Sequence, residues 1–186
     1  MTKKTNFILL ASDYLNLLGY SIFFPFFALF AVSLGASPEM TGYIWAFNTV
    51  IAGVVMLTYG LMSLRFKHEK VIVIMSLLAL AITSLLFLQV RSVKQLFFVI
   101  IVNAVASGFY LPAWKSVYTQ SIKKNNSTRD WSFFDGGNML VTAAGVAVGG
   151  ILIGRYGFHG ALLGMFFLQA LGALVAIRLL SLKSRR

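Results

Sequence analysis

The sequence predicts an all-α membrane protein with six transmembrane helices, and three observations lead to this class. Of the 186 residues, 59% are hydrophobic, and only 11% are charged, whereas about 25% is usual for a soluble domain. Apolar runs of about 20 residues also recur along the chain, and one such helix crosses about 30 Å of hydrocarbon. A β-barrel is excluded, because its spans alternate in polarity and are about half as long.

The apolar runs predict six spans within a single domain, 1–186. The spans are about 7–34, 40–63, 71–90, 95–121, 131–153 and 158–181. Residues that break helices lie between them. They are Gly35, Ser37 and Pro38 after the first span, Asn125, Asn126 and Ser127 after the fourth, and Gly154, Gly157 and Gly160 before the sixth.

The basic residues predict the orientation in the membrane. Twelve of the sixteen lie at span ends on one side, three lie on the other side (Arg91, Lys94 and Arg155), and Lys115 lies within a span. Since basic residues concentrate in cytoplasmic loops, we expect both termini in the cytoplasm and the protein in the cell (inner or plasma) membrane, with lipid as its immediate partner. The twelve are Lys3, Lys4, Arg65, Lys67, Lys70, Lys123, Lys124, Arg129, Arg178, Lys183, Arg185 and Arg186.

Composition also excludes several classes of function. The net charge of +11 is explained by the span ends, so no nucleic-acid surface is expected. The chain has no cysteine, and neither His68 nor His159 has a metal partner nearby in the sequence. No Ser/His/Asp set and no phosphate-binding glycine loop is present. We therefore expect no metal, no cofactor and no enzymatic activity.

The first span carries polar residues on one helical face. Asp13, Asn16 and Tyr20 are spaced i, i+3 and i+7, so they share that face. Polar groups in a membrane span face other helices or a water-filled cavity. This pattern predicts a polar interior, with Asn16 and Tyr20 as candidate substrate-binding residues. Asn48 is the corresponding candidate in the second span.

The fourth span has a similar face, formed by Asn103, Ser107, Tyr110 and Trp114. We interpret it as a wall of a substrate cavity, with Asn103, Tyr110 and Trp114 as candidate substrate-binding residues. The alternative is helix–helix packing around a hydrogen-bonded asparagine.

The fifth span places Asp135, Asn138, Thr142 and Gly145 on one face, and Asn138 is its candidate substrate-binding residue. Its glycines form two GxxxG pairs. Small residues spaced four apart allow helix backbones to approach closely, so helix packing is the expected role of these glycines. The pairs are Gly145 with Gly149 and Gly150 with Gly154.

Three ionisable residues lie inside the spans at similar depths. Asp13, Lys115 and Asp135 are each expected near the cytoplasmic end of a helix. We interpret them as candidate proton- or ion-coupling residues in one layer. The alternatives are a structural ion pair that joins helices, or a lysine whose side chain extends to the interface.

The third and sixth spans contain few polar side chains, so we expect them to face lipid while the other four face each other or a cavity. The order of span types repeats after three spans, and Pro25 and Pro112 lie at corresponding positions in the first and fourth. This order predicts a 3+3 inverted repeat, an arrangement typical of transporters.

Three motifs resemble those of the major facilitator superfamily. The segment from Gly60 to Lys70 resembles its loop signature G-x-L-x-D-R-x-G-R-K: Gly60 and Arg65 fit, whereas Leu64 replaces Asp and Lys67 replaces the second Gly. The fifth span resembles the antiporter motif G-x-x-x-G-P-x-x-G-G. There Gly145, Gly149 and Gly150 fit, and Val141 and Val146 replace the first Gly and the Pro.

Within the first span, the segment from Asn16 to Gly19, which is followed by Pro25, resembles drug/proton antiporters of the same superfamily. Those proteins commonly have Asp where this chain has Asn16. Asp13 lies one turn earlier and is the candidate replacement.

The resemblance implies a fold in which twelve helices form two halves with the substrate between them. The first and fourth helices of each half line the cavity, and the third and sixth lie outside. This chain resembles one half. A second copy, a paired half-size partner or the remainder of a longer chain would supply the other half.

We therefore expect a half-size secondary transporter that acts as a homodimer and exports a small amphipathic or cationic solute by alternating access. The alternative is a non-transporting membrane scaffold or assembly subunit with the same fold. Substituted residues in the two family motifs favour the scaffold, whereas ionisable residues inside the spans favour the transporter.

Overall fold

The computed structural model describes residues 3–62, 68–122 and 127–181. All regular secondary structure in these ranges is helical. The elements are α1 (Lys3–Phe23), a 3₁₀ turn (Phe24–Phe26), α2 (Phe27–Ser33), α3 (Pro38–Met62), α4 (Glu69–Leu88), α5 (Val93–Ser121) and α6 (Ser127–Ile177). The loop signature at Leu64, Arg65 and Lys67, the loop at Asn125 and Asn126, and seven of the basic span-end residues lie outside the described residues.

Five helical stretches are long and apolar enough to cross a membrane, which fits an all-helical membrane protein. The first combines α1, the 3₁₀ turn and α2, because Pro25 interrupts the α-helix there without ending the span. Pro112 does not interrupt α5 in the same way, and helix continues through it to Ser121.

The turn between α2 and α3 is formed by the residues that the sequence indicated. Gly35 has φ of 92°, a left-handed conformation in which a side chain is strained. The Ser37 hydroxyl accepts a hydrogen bond of 3.1 Å from the Met40 amide, and Pro38 is the first residue of α3. Serine at the N-cap followed by proline is a favourable helix start. The predicted break at Gly35, Ser37 and Pro38 is confirmed.

The helix α6 is interrupted at Gly157, whose φ of 66° and ψ of −172° are not helical. A continuous helix of 51 residues would be about 76 Å long, far more than a bilayer needs. The two arms, 127–156 and 158–177, both pack against α1 but in opposite order. Along the first arm, Gly137, Gly145 and Gly149 approach Tyr14, Ser21 and Ile22 in turn.

Along the second arm the order is reversed, since Gly164 lies near Ile22 and Gly172 near Ser12. The chain therefore changes direction at Gly157, and α1 packs between the two arms. The GxxxG pair Gly145 and Gly149 provides the close approach to α1 that the sequence predicted. The second pair does not, because a Cβ on Gly154 would meet nothing within 4 Å.

The burial of the spans differs from the prediction. The helix α4 was expected to face lipid, but it buries nine residues, from Val73 to Phe87, against neighbouring helices. The second arm of α6 is likewise packed on α1 and α4. In contrast, α3 buries only Thr41, Ile44 and Tyr59. Apolar residues suit the protein core and the lipid equally well, so α4 is packed on one side and still exposes Val71, Met75 and Ile82 on the other.

Candidate functional site

Asp13 lies inside the helix bundle, where α1 meets α5. Its side chain is buried, and its Oδ1 accepts a hydrogen bond of 2.6 Å from the Tyr110 hydroxyl. One turn further along α5, the Trp114 indole N–H donates to the Leu9 carbonyl oxygen at 3.3 Å. Two hydrogen bonds therefore connect adjacent turns of α1 to α5.

The aromatic residues of α5 belong to the core. Trp114 is 1% exposed and stacks with Tyr118 and Phe134, with ring centroids 4.8 Å and 4.6 Å away. Tyr110 is also buried. Tyr110 and Trp114, predicted as part of a wall of a substrate cavity, are covered in this chain by α1 and the first arm of α6.

Asn103 and Asn16 are also packed inside the bundle. The Asn103 amide donates to the Thr83 hydroxyl of α4 at 3.4 Å, which is the packing alternative that the sequence left open. Asn16 is 9% exposed and lies against the second arm of α6, where a Cβ on Gly172 would be 3.4 Å from the backbone nitrogen of Asn16. The polar face of the first span therefore points largely into the bundle.

The three ionisable residues predicted to share one layer differ in burial. The side chain of Lys115 is exposed, as is that of Asp135, whereas Asp13 is buried. Within the described residues, no ion pair includes Lys115, and the acidic partner of Arg129 is Asp130, with Nε and Oδ1 3.6 Å apart. Position along the sequence gives an expected depth for each residue, but it does not give the direction of its side chain relative to the other helices.

The remaining predicted residues lie closer to the surface of the bundle. Tyr20 is half-buried and stacks on Phe24, with ring centroids 4.1 Å apart. Asn48 and Asn138 are half-buried, and the amide oxygen of each is sealed from solvent without a hydrogen-bond partner among the described residues. These two oxygens still require a donor.

Sequence reasoning missed Tyr14, whose hydroxyl donates to the Phe133 carbonyl oxygen at 2.9 Å. The approach is possible because Gly137, one turn later, has no side chain where the hydroxyl lies. It also missed Glu69, whose carboxylate accepts from Ser116 at 2.7 Å and Gln120 at 3.0 Å. These contacts connect helices far apart in sequence, so local patterns carry no signal for them.

No group of three or more His, Cys, Asp or Glu side chains suited to a metal ion occurs in the part of the chain that the structure describes. Within the same ranges, the five acidic residues are spread over four helices, with Asp130 and Asp135 both on α6, and their observed partners are hydroxyl, amide or guanidinium groups.

Comparison with curated proteins gives no match. Among solved structures, the fold is similar to a crystal structure described as the POT family transporter PepTSo, with a TM-score of 0.74 and 15% sequence identity. The match covers 96% of this chain and 37% of that chain. At this identity the likeness concerns the fold alone. The model of the Major Facilitator Superfamily matches residues 10–186, and the chain therefore belongs to this superfamily of membrane transporters.

Proposed function

We propose that the chain is a half-size secondary transporter that works as a homodimer and exports a small amphipathic or cationic solute. Solute binds between the two copies, and rocking of the copies alternates access between the two sides of the membrane. Membership of the superfamily supports transport. This chain matches 37% of the PepTSo transporter, whose fold is similar, and this share supports the need for a second half.

The observation that carries this proposal is the exposure of two helices with polar residues. The helix α3 leaves most of its length uncovered, and the first arm of α6 exposes Phe133, Met139 and Leu140. Asn48 and Asn138 lie on these same two segments, and their polar side chains are only half-buried. Since lipid cannot donate a hydrogen bond, these segments are best completed by protein and a hydrated path.

Six membrane crossings follow if each arm of α6 is one span. An even number agrees with both termini in the cytoplasm, and two copies then give twelve crossings. In this proposal, the first three and last three spans form the 3+3 inverted repeat. Pro25, in the 3₁₀ turn of the first span, and Pro112, in α5, fit corresponding roles, although only Pro25 interrupts its α-helix.

The proposed solute-binding residues are those near the open side of the bundle, namely Tyr20, Asn48 and Asn138. Trp45 is 39% exposed beside Phe24, which adds an aromatic surface. Aromatic ring faces attract a cation, so these residues suit an amphipathic cationic solute. Asn103, Tyr110 and Trp114 support the bundle instead, because their side chains are buried between helices.

Asp13 is the proposed proton-coupling residue. It is a buried carboxyl group in a membrane span, and its observed partner is the neutral Tyr110 hydroxyl. No lysine or arginine pairs with it within the described residues. A carboxyl group in such a place is costly to keep charged, so binding and release of a proton there can accompany a conformational change.

The test is transport of tetraphenylphosphonium into liposomes with an acidic interior, with the membrane potential clamped. The wild-type chain is expected to accumulate the cation in response to the proton gradient. Asp13→Asn should lose this response, because the amide cannot exchange the proton. Glu39→Gln is the matched control, since Glu39 is exposed and contacts Tyr43 on its own helix. Accumulation by Asp13→Asn equal to wild type contradicts the role of Asp13.

A non-transporting scaffold subunit is the second candidate. The burial of Asn103, Tyr110 and Trp114 favours it, because these polar and aromatic residues then serve packing alone. The same liposomes distinguish the two candidates. If the wild-type chain gives no accumulation above protein-free liposomes, the transport proposal fails and the scaffold is favoured.

A further inference from the structure

A buried polar layer crosses the bundle between two hydrophobic clusters. One cluster includes Leu9, Leu80, Ala106 and Ala173, and the other includes Phe23, Phe87, Ile100 and Met165. On each helix, the polar residues lie between these positions. The polar layer consists of Asn16 on α1, Thr83 and Ser84 on α4, Asn103 on α5 and Gln169 on the second arm of α6.

Hydrogen bonds connect most of the polar layer. The Ser84 hydroxyl donates to Gln169 Oε1 at 2.6 Å, and the Asn103 amide donates to the hydroxyl of Thr83, the neighbour of Ser84. Three helices are joined in this way. Buried polar groups in a membrane protein need such partners, because lipid offers none.

Two atoms in the polar layer have no partner within the described residues. One is Gln169 Nε2, a donor on a side chain that is 0% exposed. The other is Asn16 Oδ1, an acceptor on a side chain that is 9% exposed. The two atoms are complementary, since one must donate a hydrogen bond and the other must accept one.

Both residues lie at the same level of the interface between α1 and the second arm. A Cβ on Gly19 would lie 3.2 Å from Gln169 Cγ, which places Gln169 next to the turn that follows Asn16. A Cβ on Gly172, one turn after Gln169, would lie 2.9 Å from the Ser12 carbonyl oxygen and 3.4 Å from the backbone nitrogen of Asn16. Asn16 and Gln169 are therefore neighbours across two close backbone approaches.

We propose that Asn16 and Gln169 bind one buried water molecule between them. The water accepts a hydrogen bond from Gln169 Nε2 and donates one to Asn16 Oδ1, which completes the polar layer from α1 to α5. A buried water that bridges otherwise unsatisfied groups is a regular part of protein structure. A metal cation does not fit, because the amide N–H of Gln169 would point toward it.

This site assigns Asn16 to the interior of one copy rather than to the solute path, and it does not depend on transport activity. Water satisfies both amides while keeping α1 attached to the second arm. Asparagine suits this position because it is neutral, whereas a carboxylate would place a charge inside the polar layer.

The test uses the chain labelled with ¹⁵N-glutamine, which has four glutamine side chains, Gln89, Gln95, Gln120 and Gln169. The first three are exposed, and Gln169 is buried. In proteoliposomes transferred to D₂O, solid-state NMR should show one side-chain amide that stays protonated and receives magnetisation from a slowly exchanging water. A side-chain amide that stays protonated but receives no magnetisation from water overturns the proposal.

A second measurement uses nearly isosteric apolar variants and the thermal unfolding midpoint. Asn16→Leu and Gln169→Met should each lower the midpoint by about 2–4 °C, and the double variant should lower it by less than the sum, because both act on one water. Asn138→Leu combined with Gln169→Met is the control and should be additive. Additivity of Asn16→Leu with Gln169→Met overturns the proposal, and the NMR result on the unchanged chain decides if a variant does not fold.

Discussion

At the residue scale, glycines determine how closely α1 and α6 pack. A Cβ on Gly145 would lie 2.6 Å from Ser21 Cβ, and one on Gly149 would meet the Ile22 backbone. Real side-chain atoms do not approach so closely, and the obstacle at Gly149 is backbone that cannot rotate away. The sequence predicted this packing from the GxxxG spacing alone, because four residues is nearly one helical turn.

We expect Gly149→Ala to destabilise the protein by about 1–3 kcal/mol, because the added methyl group separates α1 from the first arm of α6. Gly136→Ala is the matched control in the same arm, since its Cβ would meet nothing within 4 Å. The measurement is the thermal unfolding midpoint in detergent, followed by tryptophan fluorescence. Equal midpoints for the two variants would show that the close approach at Gly149 is absent.

The sequence placed Asp13 among the residues of interest but not its partner. It suggested Lys115 because the two lie at similar depths, yet the structure pairs Asp13 with Tyr110, and Lys115 faces outward. Spacing along one helix gives a face, but the rotation of that face relative to its neighbours depends on packing across the whole bundle. For the same reason, the sequence could not identify Ser84 as the partner of Gln169 or Phe133 as the partner of Tyr14.

At the scale of elements, the turns were more predictable than the burial. The residues Gly35, Ser37, Pro38 and Gly157 act locally, through backbone conformation and capping, so a short stretch of sequence is sufficient to identify them. Whether a helix faces lipid or protein is not local. The helix α4 is almost wholly apolar and buries nine of its 20 residues, whereas α3 carries Asn48 and is largely exposed.

The reversal at Gly157 gives a test at this scale. Because φ is 66° and ψ is −172°, any other residue there is strained by about 1–3 kcal/mol. We expect Gly157→Ala to lower the unfolding midpoint, and Gly154→Ala, within the helix and in open space, to leave it unchanged or raise it slightly. A midpoint for Gly157→Ala as high as that for Gly154→Ala would contradict the reversal of the chain at this residue.

At the scale of the whole molecule, one chain provides a bundle with two hydrophobic clusters and a polar layer between them, while α3 remains largely uncovered. Superfamily membership and the similar fold agree with a half of a transporter. The sequence predicted the class of protein because composition and repeated apolar runs are properties of the whole chain. It could not predict the solute, because the side chains that would contact a solute depend on how all the helices pack together.

The central claim is that two identical copies form the working unit. Native mass spectrometry of the protein released from the same liposomes in which it accumulates tetraphenylphosphonium measures this directly. The account predicts a particle with two chains of 20.5 kDa each. A transport-competent particle with a single chain, or with one copy bound to a different protein, would contradict it.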